Sequence, residues 1–185
     1  MHHLFLAQEL TYRGEELRSH WILETTGLMG DAIVAFLGPC EVKTEALVDL
    51  EDARAGASIY SPRMLHFLAE HFELDLEKAL LRQRLLVALA GETINRALGK
   101  PVVARRGNDL FAEERKLSVS IATLSPVSAL IHLGVNVLTE GAPVPAIGLK
   151  ELGGEARPLG EEILKRYADE CEGLAFARAK VRGVP

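Results

Sequence analysis

The chain has 185 residues, 48% hydrophobic and 25% charged, with a net charge of −5. This is ordinary globular composition, long enough to bury a proper core and neither disordered nor fibrous. The acidic balance and the 5% aromatic content argue against a general nucleic-acid binder, whose footprint is a basic surface.

The start of the chain lacks the charged and apolar regions of a signal peptide, and its two cysteines, Cys40 and Cys171, lie far apart. Both read as free thiols in a cytoplasmic protein. No apolar run approaches the length needed to cross a bilayer. With no internal repeat, low-complexity tract or Pro/Gly/Ser-rich linker, residues 1–185 read as one domain.

In chain order, "HLFLAQ" at the start is strand-like, and so is "GDAIVAFLGPCEVKTEALV". In the latter, Gly30-Asp31 opens a β-branched run and Gly38-Pro39 supplies a turn, which predicts a β-hairpin from about Asp31 to Val48. "RMLHFLAEHFE" fits both periods: Leu65, Phe67 and Ala69 alternate as a strand face, whereas Leu65, Leu68 and Phe72 repeat at helical spacing. The strand reading is preferred. From Leu76 to Leu98 a helical stripe runs through Ala79, Leu86, Val87, Ala90 and Ile94, with Asp75 as N-cap and Gly99 just past the end, before Pro101.

Then come "PVVAR", the segment "RRGNDLFAEERKLSVSIAT", and "VSALIHLGVNVL", whose nearly unbroken apolar run predicts a strand buried on both faces. A last amphipathic helix is expected from about Leu159 to Lys180, with Ile163, Leu164, Tyr167, Ala168, Cys171 and Leu174 on its apolar stripe. Glu161 and Glu162 are expected in its first turn, and Arg178 and Lys180 in its last. Together these elements predict an α+β fold, a mainly antiparallel sheet backed by helices on one side.

Several chemistries leave no trace. There is no Walker-type phosphate loop, no Gly-x-Gly-x-x-Gly after a strand and no Gly-x-Ser-x-Gly elbow. His66, Glu70 and His71 in "HFLAEH" have neither zinc-protease spacing, and the two histidines read as a half-buried structural pair, so no metal ligand is assigned. The acidic run Asp49 to Asp52, "DLED", could hold Mg²⁺, which needs only one or two carboxylates, but reads first as a solvated turn.

The strongest constellation is "GNDLFAEERKLSVS". Asn108 and Asp109 precede a short strand, a polar tip reverses the chain, and Lys116 begins the return, from which Ser118 and Ser120 project on one face. Asp109 and Lys116 are therefore expected to approach each other across the hairpin. A lysine there suits a phosphate or carboxylate oxygen on which charge develops, and a neighbouring Asp or Asn can orient a ribose, a metal or the lysine itself. Read from the residues alone, an ordinary cross-strand ion pair, worth little in stability, is the preferred explanation of the pattern.

The order "GNDLFAEERKLSVSIA", followed by "IHLGVNV", resembles the core of the biotin and lipoate protein ligases over roughly Leu76 to Val137. In those enzymes an Asn-Asp strand leads through a turn into an (Arg/Lys)-Lys strand, and a Gly-x-Asn strand follows. The chain as a whole resembles a second family, domain of unknown function 366, through "GDAIVAFLGPCEV", "DLED", "MLHFLAEHF", "RKLSVSIAT" and "SPVSALIHLGVNV".

The ligase resemblance implies a fold like that of class II aminoacyl-tRNA synthetases, and binding of ATP, Mg²⁺ and a small carboxylic acid, with an acyl-adenylate as product. It matches Lys116 to the essential ligase lysine and Asn108 and Asp109 to residues beside the nucleotide. Ser118 and Ser120 would line the same strand, and Arg105 and Arg106 would add phosphate contacts. Two departures stand against a biotin or lipoate substrate. Val119 occupies the position of a ligase glycine, where a β-branched side chain narrows the pocket. "RGEELRSHW" offers Arg13, Arg18 and Trp21 in the order of the ligases' nucleotide segment but lacks its glycines. Two readings follow: an acid-activating ligase or acyltransferase, or a small-molecule or partner-binding module on the same fold. The apolar strands and the long helix would also allow a homodimer.

Overall fold

Fourteen short and long elements follow one another in the computed structural model, which describes residues 1–184. A first strand, β1 (His2–Phe5), and a short helix, α1 (Trp21–Thr26), precede β2 (Ala32–Val42). A 3₁₀ turn (Thr44–Ala46) and α2 (Leu50–Arg54) lead into the long β3 (Ile59–His71) and α3 (Leu76–Leu98). Three small strands follow, β4 (Ala104–Arg106), β5 (Asp109–Ala112) and β6 (Arg115–Lys116), then β7 (Ser118–Leu124) and β8 (Ala129–Leu138). The chain closes with α4 (Leu149–Leu152) and α5 (Ala156–Lys180).

Five strands form the main sheet in the order β1-β2-β3-β8-β7. All its pairings are antiparallel except the edge pair β1 with β2. The small sheet β4-β5-β6 is a separate meander beside it. The ambiguous "RMLHFLAEHFE" is strand, because its alternation is buried on both faces between β2 and β8.

Strand alternation divides the core in two. Ile33, Ala35, Leu65, Phe67, Leu133 and Val135 point to one face, where they pack with α3 and α5 through residues such as Leu86, Ile94, Ile163 and Tyr167. Burying each large apolar side chain is worth about 1.5–3 kcal/mol. Helix α3 starts where its signals place it: the Asp75 side chain accepts from the Lys78 N–H at 2.9 Å, and Gly99 ends it in the left-handed region. Helix α5 begins earlier than the sequence suggests, at Ala156, so Glu161 and Glu162 lie past its first turn, and Leu174 stands 52% exposed beyond the packed stripe.

The opposite face carries Val34, Phe36, Met64 and Leu68, covered by residues from the N-terminal segment, including Leu6, Tyr12 and Ile22. It also carries polar groups: His66, Glu70 and His132 are buried there. Neither histidine of the expected half-buried pair, His66 or His71, is half-exposed: both are buried. Glu70 accepts from Ser128 Oγ at 2.6 Å and from the His20 N–H, while His71, on the helix side, links Asp31 (3.2 Å) to the Tyr167 hydroxyl (2.9 Å). His66, Glu70 and His71 belong to three separate hydrogen-bond networks.

The expected hairpin over Asp31 to Val48 does not exist. Strand β2 runs straight through Gly38-Pro39 and absorbs the pair as a register shift between Gly38 and Cys40. Proline tolerates such a bulge because it has no N–H to leave unpaired. Gly38 is required for another reason: Leu10 and Tyr12 donate backbone N–H groups to Leu37 and Pro39, so the N-terminal segment presses against the strand. A Cβ at Gly38 would lie 1.9 Å from the Leu10 carbonyl oxygen.

Gly38→Ala is therefore expected to lower the unfolding free energy by about 1–3 kcal/mol through overpacking, measured by urea denaturation. A second expectation comes from His66, whose pKa is pushed down to about 4 by burial, and from His132, pushed well below its ordinary value by the same cause. In the unfolded chain both take up protons below about pH 6.5, whereas in the folded chain they do not. Stability therefore falls as pH drops from about 6.5 towards 4, by up to about 1.4 kcal/mol per pH unit for each histidine. Replacing His66 by Phe should remove one proton's share of that slope in denaturation curves taken across this range.

Candidate functional site

The charged hairpin is built by two tight reversals. Gly107, with φ of 62°, occupies the first central position of the two-residue turn joining β4 to β5, the backbone of a primed hairpin turn. Glu113 (φ 55°) begins the turn joining β5 to β6. Helix α3 braces the first turn: Gln83 donates to Ser120 Oγ at 2.8 Å, Ser120 donates to the Asn108 carbonyl at 2.6 Å, and Arg84 Nε donates to Asn108 Oδ1 at 3.2 Å.

Within this frame Lys116 Nζ sits 2.8 Å from Asp109 Oδ2. The Lys116 backbone is pinned on three sides, by the Pro145 carbonyl, the Ile147 N–H and the Asn136 side-chain amide, which donates to its carbonyl. Asp109 is 19% exposed, and its Oδ1 is buried without a hydrogen-bond partner. Burial raises the Asp109 pKa above the usual carboxylate value, the nearby Asp52 charge adds to the rise, and Lys116 offsets part of it.

Asn108, Asp109, Lys116 and Ser120 all line one cavity of about 260 Å³. Its floor is the polar face of the main sheet, with Val119 and Ile121 from β7 and His132 and Asn136 from β8. Two segments contribute to its walls, residues 46–49 with Asp52 from one and Ala142, Pro143, Val144 and Ala146 from the other. The "DLED" run is thus not merely a solvated turn: Asp49 caps α2, and both Asp49 and Asp52 line the cavity. Among the described residues, Lys116 is the one lysine or arginine in this lining, set against three aspartates.

Other residues singled out in the sequence lie elsewhere. Arg105 and Arg106 are exposed on β4; Arg105 donates to the Gly107 carbonyl, and Arg106 pairs with Glu114 at 2.8 Å. Ser118 is fully buried, and its Oγ accepts from the Leu110 N–H, so it ties the small sheet to β7. Arg13 pairs with Glu41 and Arg18 with Glu24 on the outer surface, and neither these arginines nor Trp21 line the cavity. Sequence reasoning missed Tyr12, His132 and Asn136. A signal for two of them was available: in "ALIHLGVNVL" the polar or small residues His132, Gly134 and Asn136 recur at a period of two inside an apolar run.

No helix among the described residues is long and apolar enough to cross a membrane, and no three or more His, Cys, Asp or Glu side chains among them are grouped to hold a metal ion.

The whole fold matches that of a protein of unknown function from Pyrococcus horikoshi, at 40% identity, with a TM-score of 0.95 and 100% of each chain covered. An uncharacterised protein of Methanocaldococcus jannaschii is 40% identical over 178 residues, 92% of this chain and 80% of its own. More distantly, the fold is that of the biotin protein ligases. The enzyme of Aquifex aeolicus in complex with biotin and ATP superposes with a TM-score of 0.58 at 15% identity, over 91% of this chain and 69% of its own. The Leishmania major enzyme in complex with biotin does so at 0.60 and 16%, over 90% and 73%. The family model described as a domain of unknown function, DUF366, matches residues 1–182, so this α+β chain belongs to that family and carries it on a biotin ligase-like fold.

Proposed function

We propose that this protein binds a small carboxylic acid and a nucleotide in the cavity beside the Asp109–Lys116 hairpin and activates the acid for acyl transfer. The observation that carries this reading is the ion pair itself. A lysine pinned through its backbone sits 2.8 Å from a mostly buried aspartate at a cavity lined by apolar side chains and further carboxylates. Such a fixed cation is suited to neutralising charge on carboxylate and phosphate oxygens as they react, without reorganisation at the moment of reaction.

In the reaction, a carboxylate oxygen of the acid would displace pyrophosphate from the α-phosphorus of ATP, leaving the acid as a mixed anhydride with AMP. Lys116 would lie against the oxygens that gain charge, and Asn108 would orient the nucleotide. The donor set fits a magnesium nucleotide better than a bare one. Three carboxylates and one lysine would repel a free triphosphate, whereas Mg²⁺ brings its own positive charge and commonly needs only one or two protein carboxylates. The unpartnered Asp109 Oδ1, with Asp52 nearby, supplies them.

One observation favours a second reading, a binding module without chemistry: Lys116 is the sole cationic side chain lining the cavity among the described residues, and the arginines expected to join it lie outside.

The thermal midpoint with and without Mg-ATP separates the two, because a ligand that binds the folded state raises it by mass action. At 100 times the dissociation constant the gain is about 2.7 kcal/mol, a shift of a few degrees. The shift should appear in the parent protein and vanish in Lys116→Ala, each compared with its own ligand-free midpoint because the variant also leaves Asp109 unpaired. No shift at millimolar Mg-ATP would transfer support to the module reading, in which a metabolite retained through purification is the ligand to identify.

A further inference from the structure

We propose that the cavity selects carboxylic acids whose far end carries an O–H or N–H donor, received by His132 at Nδ1. This deepens, and rests on, the acid-binding reading of the same cavity.

The argument starts from an acceptor that cannot donate. His66 Nε2 lies 3.3 Å from the Gly38 carbonyl oxygen, so that nitrogen must carry the proton. His66 is fully buried among apolar groups, and the desolvation that lowers its pKa keeps the ring neutral. Its Nδ1 is therefore bare. The only ring atom placed against it is His132 Nε2, at 3.1 Å, so the proton between them belongs to His132. His132 is also buried and neutral, and with its proton on Nε2 it presents a lone pair at Nδ1. No hydrogen bond among the described residues reaches that atom.

Stacking fixes the plane of each ring, and the bond to His66 fixes which edge of His132 faces it. Tyr12 stacks on His132 with ring centroids 3.9 Å apart and planes within 15°, and Phe36 stacks on His66 at 4.9 Å. Around His132 the cavity is lined by Val119, Ile121 and Met64, which offer no donor, and by Tyr12, whose hydroxyl lies in the plane stacked over the imidazole and so off the in-plane direction of the Nδ1 lone pair. A site built with a fixed acceptor in apolar surroundings discriminates against a ligand that lacks the donor, since binding would then strip the acceptor of water and leave it unpaired.

The distance to the reactive end is compatible with a medium-chain acid. Asn136, whose amide touches the Lys116 carbonyl, is on the same face of β8 as His132 and four positions further on, roughly 13 Å of extended strand.

The test uses octanoate and 8-hydroxyoctanoate as probes, titrated calorimetrically into the parent protein and into His132→Phe, which keeps a stacking ring and removes the acceptor. The hydroxylated acid is expected to bind the parent at least tenfold more tightly, and the variant is expected to lose that preference. Equal affinities, a preference for octanoate, or no binding of either acid would overturn the proposal. A Mg-ATP shift that depends on Lys116 would still leave the broader reading standing. Because the variant also removes the donor to His66, long-range ¹H–¹⁵N spectra of the parent provide a check without substitution. Both rings should appear as neutral Nε2–H tautomers, and a proton on His132 Nδ1 would overturn the proposal regardless of the titrations.

Discussion

Strand alternation in β3 and β8 is the constraint on which the rest of the structure depends. These strands lie side by side in the sheet, each flanked on both edges, and their side chains alternate between two faces. One face is apolar except for His71, which bonds Tyr167 of α5, and receives the two long helices. The other mixes apolar residues with His66, Glu70, His132 and Asn136, each of which needs a partner because a buried polar group left unpaired is costly. The partners come from distant parts of the chain: the Gly38 carbonyl, the His20 N–H and Ser128, and the Lys116 carbonyl. Satisfying these groups fixes where the N-terminal segment and the hairpin sit, and so shapes the cavity between them.

The hairpin illustrates how a weak local signal becomes a precise site. A surface lysine–aspartate pair contributes little by itself. Here the pair is partly buried, backed by α3 through Gln83 and Arg84, and locked through the Lys116 backbone by residues 145–147. The energy of the contact matters less than the rigidity of its support, since charge stabilisation in a site depends on groups held in place beforehand. The chain shares its fold with biotin protein ligases at 14–16% identity, and fold alone does not fix function. What bears on function is the chemistry of the lining, in which carboxylates outnumber the single lysine and a neutral histidine is held at the floor.

Much of the secondary structure was legible because it follows from local periodicity and end signals. Asp75 and Gly99 bracket α3 as their chemistry requires, β8 reads as an unbroken apolar run, and the hairpin around Asp109 and Lys116 follows from a turn glycine and a charged tip. Gly38-Pro39 misled because the same dipeptide serves a turn or a bulge, and which one forms depends on what packs against it; Leu10 and Tyr12, some 27 residues away along the chain, decide it. The serines on β7 were correctly placed on one face by alternation, but alternation cannot say which face meets the helices. Ser118 and Ser120 proved to brace the hairpin through Leu110 and Asn108.

By itself the sequence determined the class of fold, the ends of the long helix and the approach of Asp109 to Lys116, since each depends on residues close together in the chain or on a repeat along one element. Only the tertiary structure decided the composition of the cavity. It brought Tyr12, Asp52, His132 and Asn136 to one place and left Arg105, Arg106, Arg13 and Arg18 outside it. The physical reason is that a cavity is the space between elements: its lining depends on how distant segments satisfy one another's buried polar groups and fill one another's gaps, which no local pattern of residues encodes.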